Sequence, residues 1–396
     1  MKRSFTTKVL VFALFIAGLL FVQWTQAQSP AGLPKVLRIW TYGTGSTSYY
    51  NSMGMAQTIG KLSGMTVRVM PAGTDTARFA ALKKGEGDMV LISDSSYWSA
   101  SRGYLDYADP AWGPQKLRMV YGGQKFNMGV MTTANSGIKK MSDIKGKRFP
   151  YVPGNPAGNL FNQAFLAYGG LNWSDVRVVR FGSWDDAMRS VVRGQSDACG
   201  TTLTTAACIE TAAGPKGIYL IPMPPDEKEA WARFHSVMPF GQPNLNKRGG
   251  GVSPDRPHQG CGYHSPYASY DSLPDQIAYA FAKAAYNGYE EFKDRHVDLK
   301  EYSPESVSEH MITDYVLPMH PGSIKFFKEI GKWSGKMQQW QEERLLIEKE
   351  LLKLWSEASA AATAKGIKVG DKEWPDFWQA FSREKVGKLK FRFAFL

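Results

Sequence analysis

From residue 36 onward, short runs rich in β-branched and aromatic residues alternate with longer stretches whose apolar positions recur every three or four residues. Val36–Trp40 predicts a strand, the turn-rich Gly43–Ser48 follows, and a helix runs to about Leu62. Met65–Met70 predicts a second strand, Thr74–Lys84 a helix and Met89–Ile92 a third strand, with further strands at Leu117–Tyr121 and Gly129–Thr132. A second series starts at Lys147–Tyr151. It continues with a helix to Tyr168, a strand at Val176–Phe181, a helix through Ser183–Arg193 and a short strand at Asp197–Gly200. Repeated β-loop-α units predict open, mainly parallel sheets flanked by helices, and two series predict two α/β lobes. Ligands of such sheets sit beyond the carboxyl ends of the strands, against helix N-termini. Gly241–Pro274, rich in Gly, Pro, Asn and Ser, reads as a long loop. Helical spacing returns at Asp275–Phe292 and Ser323–Glu329, and again in a tail carrying Trp340, Ile347, Leu351, Leu354 and Ala358. No repeat of fixed period and no low-complexity tract is visible.

The amino terminus breaks this pattern. Lys2, Arg3 and Lys8 precede an unbroken run without charge from Val9 to Val22, and small residues stand at Thr25 and Ala27. This predicts a secretory signal cleaved after Ala27. The run is shorter than the roughly 20 apolar residues of a spanning helix.

The chain has 396 residues, 21% of them charged, with a net charge of +12. Disorder is excluded by composition, and the length supports two lobes. Removing Lys2, Arg3 and Lys8 with the signal lowers the charge to +9. The remaining Lys and Arg are scattered and form no nucleic-acid-binding motif, so attraction of small anions is the better reading of the charge. Three cysteines cannot build a disulfide scaffold; Cys199 and Cys208 are close enough in sequence to pair in an oxidising compartment, with Cys261 left over.

No GxSxG, HExxH or P-loop pattern occurs, and no cofactor motif is present. The glycine-bearing Gly43–Tyr50 turn follows a strand and opens a helix, which aims backbone N–H groups at a ligand. His258, Cys261 and His264 fall within seven residues but lack the fourth ligand and paired spacing of a structural zinc site. Thr74 or Asp75 is a good helix cap, and Arg78 one turn later has the side chain best suited to a bidentate grip on a carboxylate. Asp94, Tyr97 and Trp98 follow the third strand and face the same side.

Several segments resemble the TAXI-type substrate-binding proteins of TRAP transporters. They are LRIWTYGTGSTSYYNSMGMA (Leu37–Ala56), LKKGEGDMVLISDSSY (Leu82–Tyr97), SGIKKMSDIKGKRF (Ser136–Phe149), RGQSDA (Arg193–Ala198) and PMHPGSIKFFKEIG (Pro318–Gly331). The resemblance implies an α/β, two-lobed periplasmic binding protein with a hinge and an interlobe cleft. Its parts would be a signal peptide at 1–27, a first lobe at 28–125, a second lobe at 126–225, a return to the first lobe at 226–335, and a helical extension at 336–396. It implies capture of a small organic anion and delivery to a TRAP membrane subunit, with a monomer expected and no enzymatic step. Relatives usually carry two glycines where this chain has Ser46 and Thr47, G-G-S-x-x-N where it has Gly73–Arg78, and G-S-G-T at Asn155–Gly158. The expected ligand-binding set is Arg78 for a carboxylate, with Ser46, Thr47, Ser48, Tyr49, Asp75, Asp94 and Tyr97 from the first lobe. Asn155, Asn159, Thr201 and Thr202 complete it from the second. Other readings of the same cleft are the binding protein of an ATP-driven importer, a sensory receptor lobe, or a secreted α/β enzyme.

Overall fold

The computed structural model describes residues 32–123, 125–308 and 315–387. The expected signal segment lies outside the described residues.

The first lobe is built from β1 (Val36–Thr41), α1 (Thr47–Ser63), β2 (Thr66–Pro71), α2 (Asp75–Lys83), β3 (Met89–Leu91), α3 (Asp94–Arg102) and β4 (Leu117–Tyr121). Its sheet runs β2-β1-β3-β12-β4, with β12 (Tyr267–Tyr270) inserted from far down the chain. β1 pairs parallel with β2 and β3, while β12 runs antiparallel to β3 and β4. Alternate residues of β1 are buried, which places Leu37 and Ile39 in the core beneath α1.

The second lobe comprises β5 (Phe126–Thr133), β6 (Arg148–Tyr151), α4 (Pro156–Tyr168), β7 (Arg177–Arg180), α5 (Trp184–Val192) and β8 (Ala198–Thr202). It continues with α6 (Ala206–Ala213), β9 (Ile218–Ile221), α7 (Lys228–Val237), β10 (Gln242–Asn246) and β11 (His258–Tyr263). Its sheet is organised around β5, which pairs antiparallel with β8, β9 and β11; only the β6–β7 ribbon is parallel. The expected mainly parallel sheet is therefore corrected here, because β5 enters directly from the first lobe and runs against the strands around it.

Gly241–Pro274 is also corrected: it is not a long loop but carries β10, β11 and β12. The glycines that suggested a loop answer to close packing instead. A Cβ on Gly260 would stand 2.7 Å from the Met128 carbonyl oxygen and 2.7 Å from Asn246 Nδ2. β10 and β11 belong to the second sheet, so the chain crosses back to the first between Tyr263 and Tyr267 rather than near 226.

The two lobes share a construction that no fixed period reveals. In the first, Asp88 accepts the Arg38 backbone N–H (2.7 Å) and is gripped by the Arg38 guanidinium (3.1 and 2.9 Å). In the second, Asp197 does the same for Arg148 (2.7, 3.2 and 2.6 Å). The separations differ by one residue.

The chain ends in α8 (Asp275–Asn287), the single turn α9 (Tyr289–Phe292), α10 (Pro321–Glu329), the long α11 (Gly335–Thr363) and α12 (Trp374–Val386). α11 and α12 are fastened to the first lobe. Arg118 of β4 forms a bidentate pair with Glu348 (2.6 and 2.9 Å), Trp340 Nε1 donates to the Tyr315 carbonyl (3.0 Å), and Trp378 Nε1 donates to the Arg102 carbonyl (3.0 Å). The HPG segment is an architectural joint. His320 caps α10, accepting the Gly322 N–H at 3.2 Å while its other ring nitrogen faces the Leu273 carbonyl at 2.9 Å. Gly322 lies flat against the Asp275 backbone at the start of α8, where a Cβ would collide with the Asp275 carbonyl oxygen. Gly322→Ala should therefore lower stability by about 1–3 kcal/mol or more, read as an earlier midpoint in urea unfolding.

Candidate functional site

Five helices whose N-termini face the gap between the lobes carry their own Ser or Thr caps. Ser46, Thr74, Ser93, Ser183 and Thr205 each accept the backbone N–H three residues on, at 3.1 to 3.4 Å. These caps satisfy first-turn N–H groups and leave the positive helix ends turned toward the gap. α4 is the exception. Asn155 stands at its cap position but makes no cap bond to its own helix.

A cavity of about 60 Å³ lies between the lobes. Tyr42, Ser46, Thr47, Ser48, Asn51, Leu91 and Ser93 form its first-lobe wall. The start of α4 (Ala157, Gly158, Phe161), the start of α5 (Trp184, Met188), and Thr202 and Thr205 face them. Phe126, Met128, Tyr263 and Ser265, near the two crossings between lobes, close the back. The wall is aromatic and hydroxylated and contains no charged side chain. It can accept and donate hydrogen bonds but presents no acid, base or nucleophile–base pair.

Of the expected ligand-binding residues, Ser46, Thr47, Ser48 and Thr202 line this cavity; the other eight do not. Tyr49 is half-buried beside Tyr50, their rings edge to face. Tyr97 is fully buried in the first-lobe core. Asn159 is turned inward, bonding both the N–H and the carbonyl of Val152 (3.0 and 2.7 Å). Thr201 Oγ1 bonds within its own turn, to the Thr202 carbonyl at 3.0 Å. Asp94 binds the N–H groups of Ser95 and His264, both at 2.9 Å, and ties the second crossing to the start of α3.

Arg78 is the main departure. It is fully buried and its guanidinium is paired with Asp75. Its second terminal nitrogen donates to the Leu91 carbonyl (2.8 Å), and the group stacks on the Tyr42 ring at 3.7 Å. A carboxylate of the chain itself already holds the charge that was expected to meet a ligand. The signal was present in sequence, since Asp75 and Arg78 are three apart on one helix face.

Residues that sequence reasoning passed over include Tyr42, Ser93, Trp184, Thr205, Tyr263 and Ser265. Ser93 and Thr205 obey the same strand–cap–helix logic as Ser46 and were legible by it. Tyr263 and Ser265 were hidden by the reading of their segment as loop.

The lobes are closed on one another. Trp184 N–H reaches the Gly73 carbonyl (3.1 Å), Ala206 N–H the Gly45 carbonyl (3.1 Å), and Thr76 N–H the Gly154 carbonyl (3.1 Å). The Thr47 and Thr204 hydroxyls meet at 2.9 Å. Arg248, following β10, pairs with Asp298 (3.1 Å) and with Glu301. Asp185 of α5 lies against the Gly43–Gly45 turn; burial pushes its carboxyl up, while Arg189 and the Gly45 N–H pull it down.

A second opening of about 310 Å³ lies at the other end of α3. It is walled by Arg102, Tyr104, Leu351 and Arg383 on the first-lobe side and by His235, Ser236 and Pro239 on the other.

The three cysteines are buried and free, with Cys208 pushed up to about 12 by burial. No group of three or more metal-type ligands occurs among the described residues.

Burial pushes the Asp94 carboxyl up to about 8 against the pull of its backbone N–H partners. A raised carboxyl favours the folded state while it is protonated and costs stability as pH rises toward 8. Asp94→Asn should remove that dependence, flattening the fall in the unfolding free energy measured by urea titration between about pH 4 and pH 8 by up to about 1.4 kcal/mol per pH unit.

Comparison with known proteins gives this geometry a family. No curated protein matches the chain. Among solved structures, the periplasmic binding protein BugD is similar at 12% identity, covering 76% of this chain and 99% of its own, with a TM-score of 0.50. A Bordetella bronchiseptica RB50 protein aligns at 17% identity over 75% of this chain and 98% of its own, TM-score 0.45. PhnD1 from Prochlorococcus marinus, solved with methylphosphonate, aligns at 12% over 76% and 100%, TM-score 0.44. Such identities speak to fold alone. The NMT1-like family model matches residues 39–331, spanning both lobes and the HPG joint. The chain belongs to the NMT1-like family, and its fold is similar to that of the periplasmic binding protein BugD.

Proposed function

We propose that this protein is the extracytoplasmic solute-binding component of a membrane transporter, capturing one small solute between its lobes. The observation that carries the reading is the cavity. It is walled by both lobes, lined by helix starts and hydroxyls, and lacks the groups for bond making. Binding energy spent on holding the lobes together is what such a site can supply. The signal-like amino terminus supports export to the periplasm, and the resemblance of the first turn and the HPG segment supports a TRAP-type membrane partner. An ATP-driven importer remains the second reading, favoured by nothing specific in the site; a neighbouring gene for a large multi-span permease supports TRAP, a neighbouring ATPase the importer.

The expectation of an organic anion rested on Arg78, and Arg78 is engaged elsewhere. The wall better supports a small solute with hydrogen-bonding groups and an apolar face. Mass spectrometry of the natively purified protein should find such a solute, and adding it should raise the thermal midpoint. Ser48→Phe, a half-buried wall position, should fill the cavity and abolish that shift while leaving the ligand-free midpoint within a few degrees. A shift that persists in this variant overturns the site.

A further inference from the structure

We infer that Asp75 takes the place a ligand carboxylate would occupy, so that the cleft closes on uncharged solutes and rejects small organic anions. The inference rests on the cleft being the solute site.

Among the described residues, α4 is the one cleft-facing helix of six without a cap bond from its own chain segment. Its bare first-turn N–H at Ala157 is satisfied across the gap by the Asp75 carboxylate, at 2.9 Å. The bond is returned: the Asn155 side-chain oxygen accepts the Asp75 N–H at 3.3 Å and the Tyr42 hydroxyl at 2.6 Å. The pattern is that of a capping box, in which two residues satisfy each other's helix starts, here split over two lobes. Ala157 and Gly158 also line the cavity, so this helix end is where an incoming anion would be drawn.

Asp75 is prepared for the part. It is fully buried, its other oxygen accepts the Ser96 hydroxyl at 2.8 Å, and Arg78 holds it in place. A helix-start N–H and a guanidinium are the two kinds of donor best suited to a carboxylate, and Asp75 already occupies both. With Asp75 present, a ligand anion would meet a like charge and find no cation among the residues of the wall.

The test is chemical replacement of the missing carboxylate. Asp75→Ala removes it and leaves Arg78 and the Ala157 N–H without their partner. Acetate should then raise the thermal midpoint of Asp75→Ala and bind at least tenfold more tightly than to the wild-type protein, whereas acetamide should do neither. Wild-type protein titrated with acetate, pyruvate and succinate should show no shift that Ser48→Phe removes. If Asp75→Ala is too unstable to purify, Asn155→Ala keeps the charge but breaks the reciprocal cap. Its solution scattering without ligand should then report a larger radius than wild type, and its indifference to carboxylates should persist. Wild-type binding of carboxylates that Ser48→Phe abolishes overturns the inference while sparing the solute site. Loss of every cavity-dependent shift, including that of the co-purified solute, overturns the solute site itself.

Discussion

A buried carboxylate with three partners in two lobes sets the terms for the rest of this structure. Asp75 meets a guanidinium and a hydroxyl in its own lobe and a helix N–H in the other, while its own N–H is held by Asn155. Charges are rarely taken out of water unless each lone pair finds a donor, and removing one donor from such a group costs far more than the net worth of the intact set. The closed arrangement of the lobes is therefore tied to one side chain's need for satisfaction. The carbonyl contacts at Gly73, Gly45 and Gly154 follow from that closeness. In each, a backbone without a side chain on one side allows the other lobe to approach.

Around this centre the molecule divides its labour. The Arg38–Asp88 and Arg148–Asp197 locks fix β1 and β6 to the segments leading into β3 and β8, holding each scaffold rigid by the same device. Rigid scaffolds make the first turns of the helices dependable, and the caps at Ser46, Ser93 and Thr205 then double as cavity wall. A cap serves structure and recognition with one hydroxyl, which explains how a wall this polar is assembled without burying a charge in it.

Much of this was legible from residues alone. The strand–cap–helix rhythm was legible in both lobes; Ser46, Thr47 and Ser48, expected where a helix start after a strand exposes N–H groups, line the cavity, as does Thr202 at the end of β8. Arg78 was misjudged because a propensity to grip carboxylates does not say whose carboxylate is gripped. The partner was three residues away, on the same helix face. β10 and β11 were missed for a different reason. Glycine reads as a breaker in one dimension, but Gly260 reflects pressure from Met128, more than a hundred residues distant in sequence. Asn155 lay at an expected position yet serves a lobe it does not belong to, and spacing along one segment cannot express that.

The opening at the far end of α3 gives the tail a mechanical meaning. α11 and α12 are bolted to the first lobe, and their residues Leu351 and Arg383 look across that gap at His235 and Pro239 of the second. α3 reaches from Ser93 at the cleft to Arg102 at this gap, about 14 Å by helix rise. Both openings thus have one wall on each lobe, and a hinge motion that changes one width changes the other. The molecule has two linked mouths. Anything wedged into the rear one, whether a side chain, a detergent or a membrane protein's loop, sets the travel of the front.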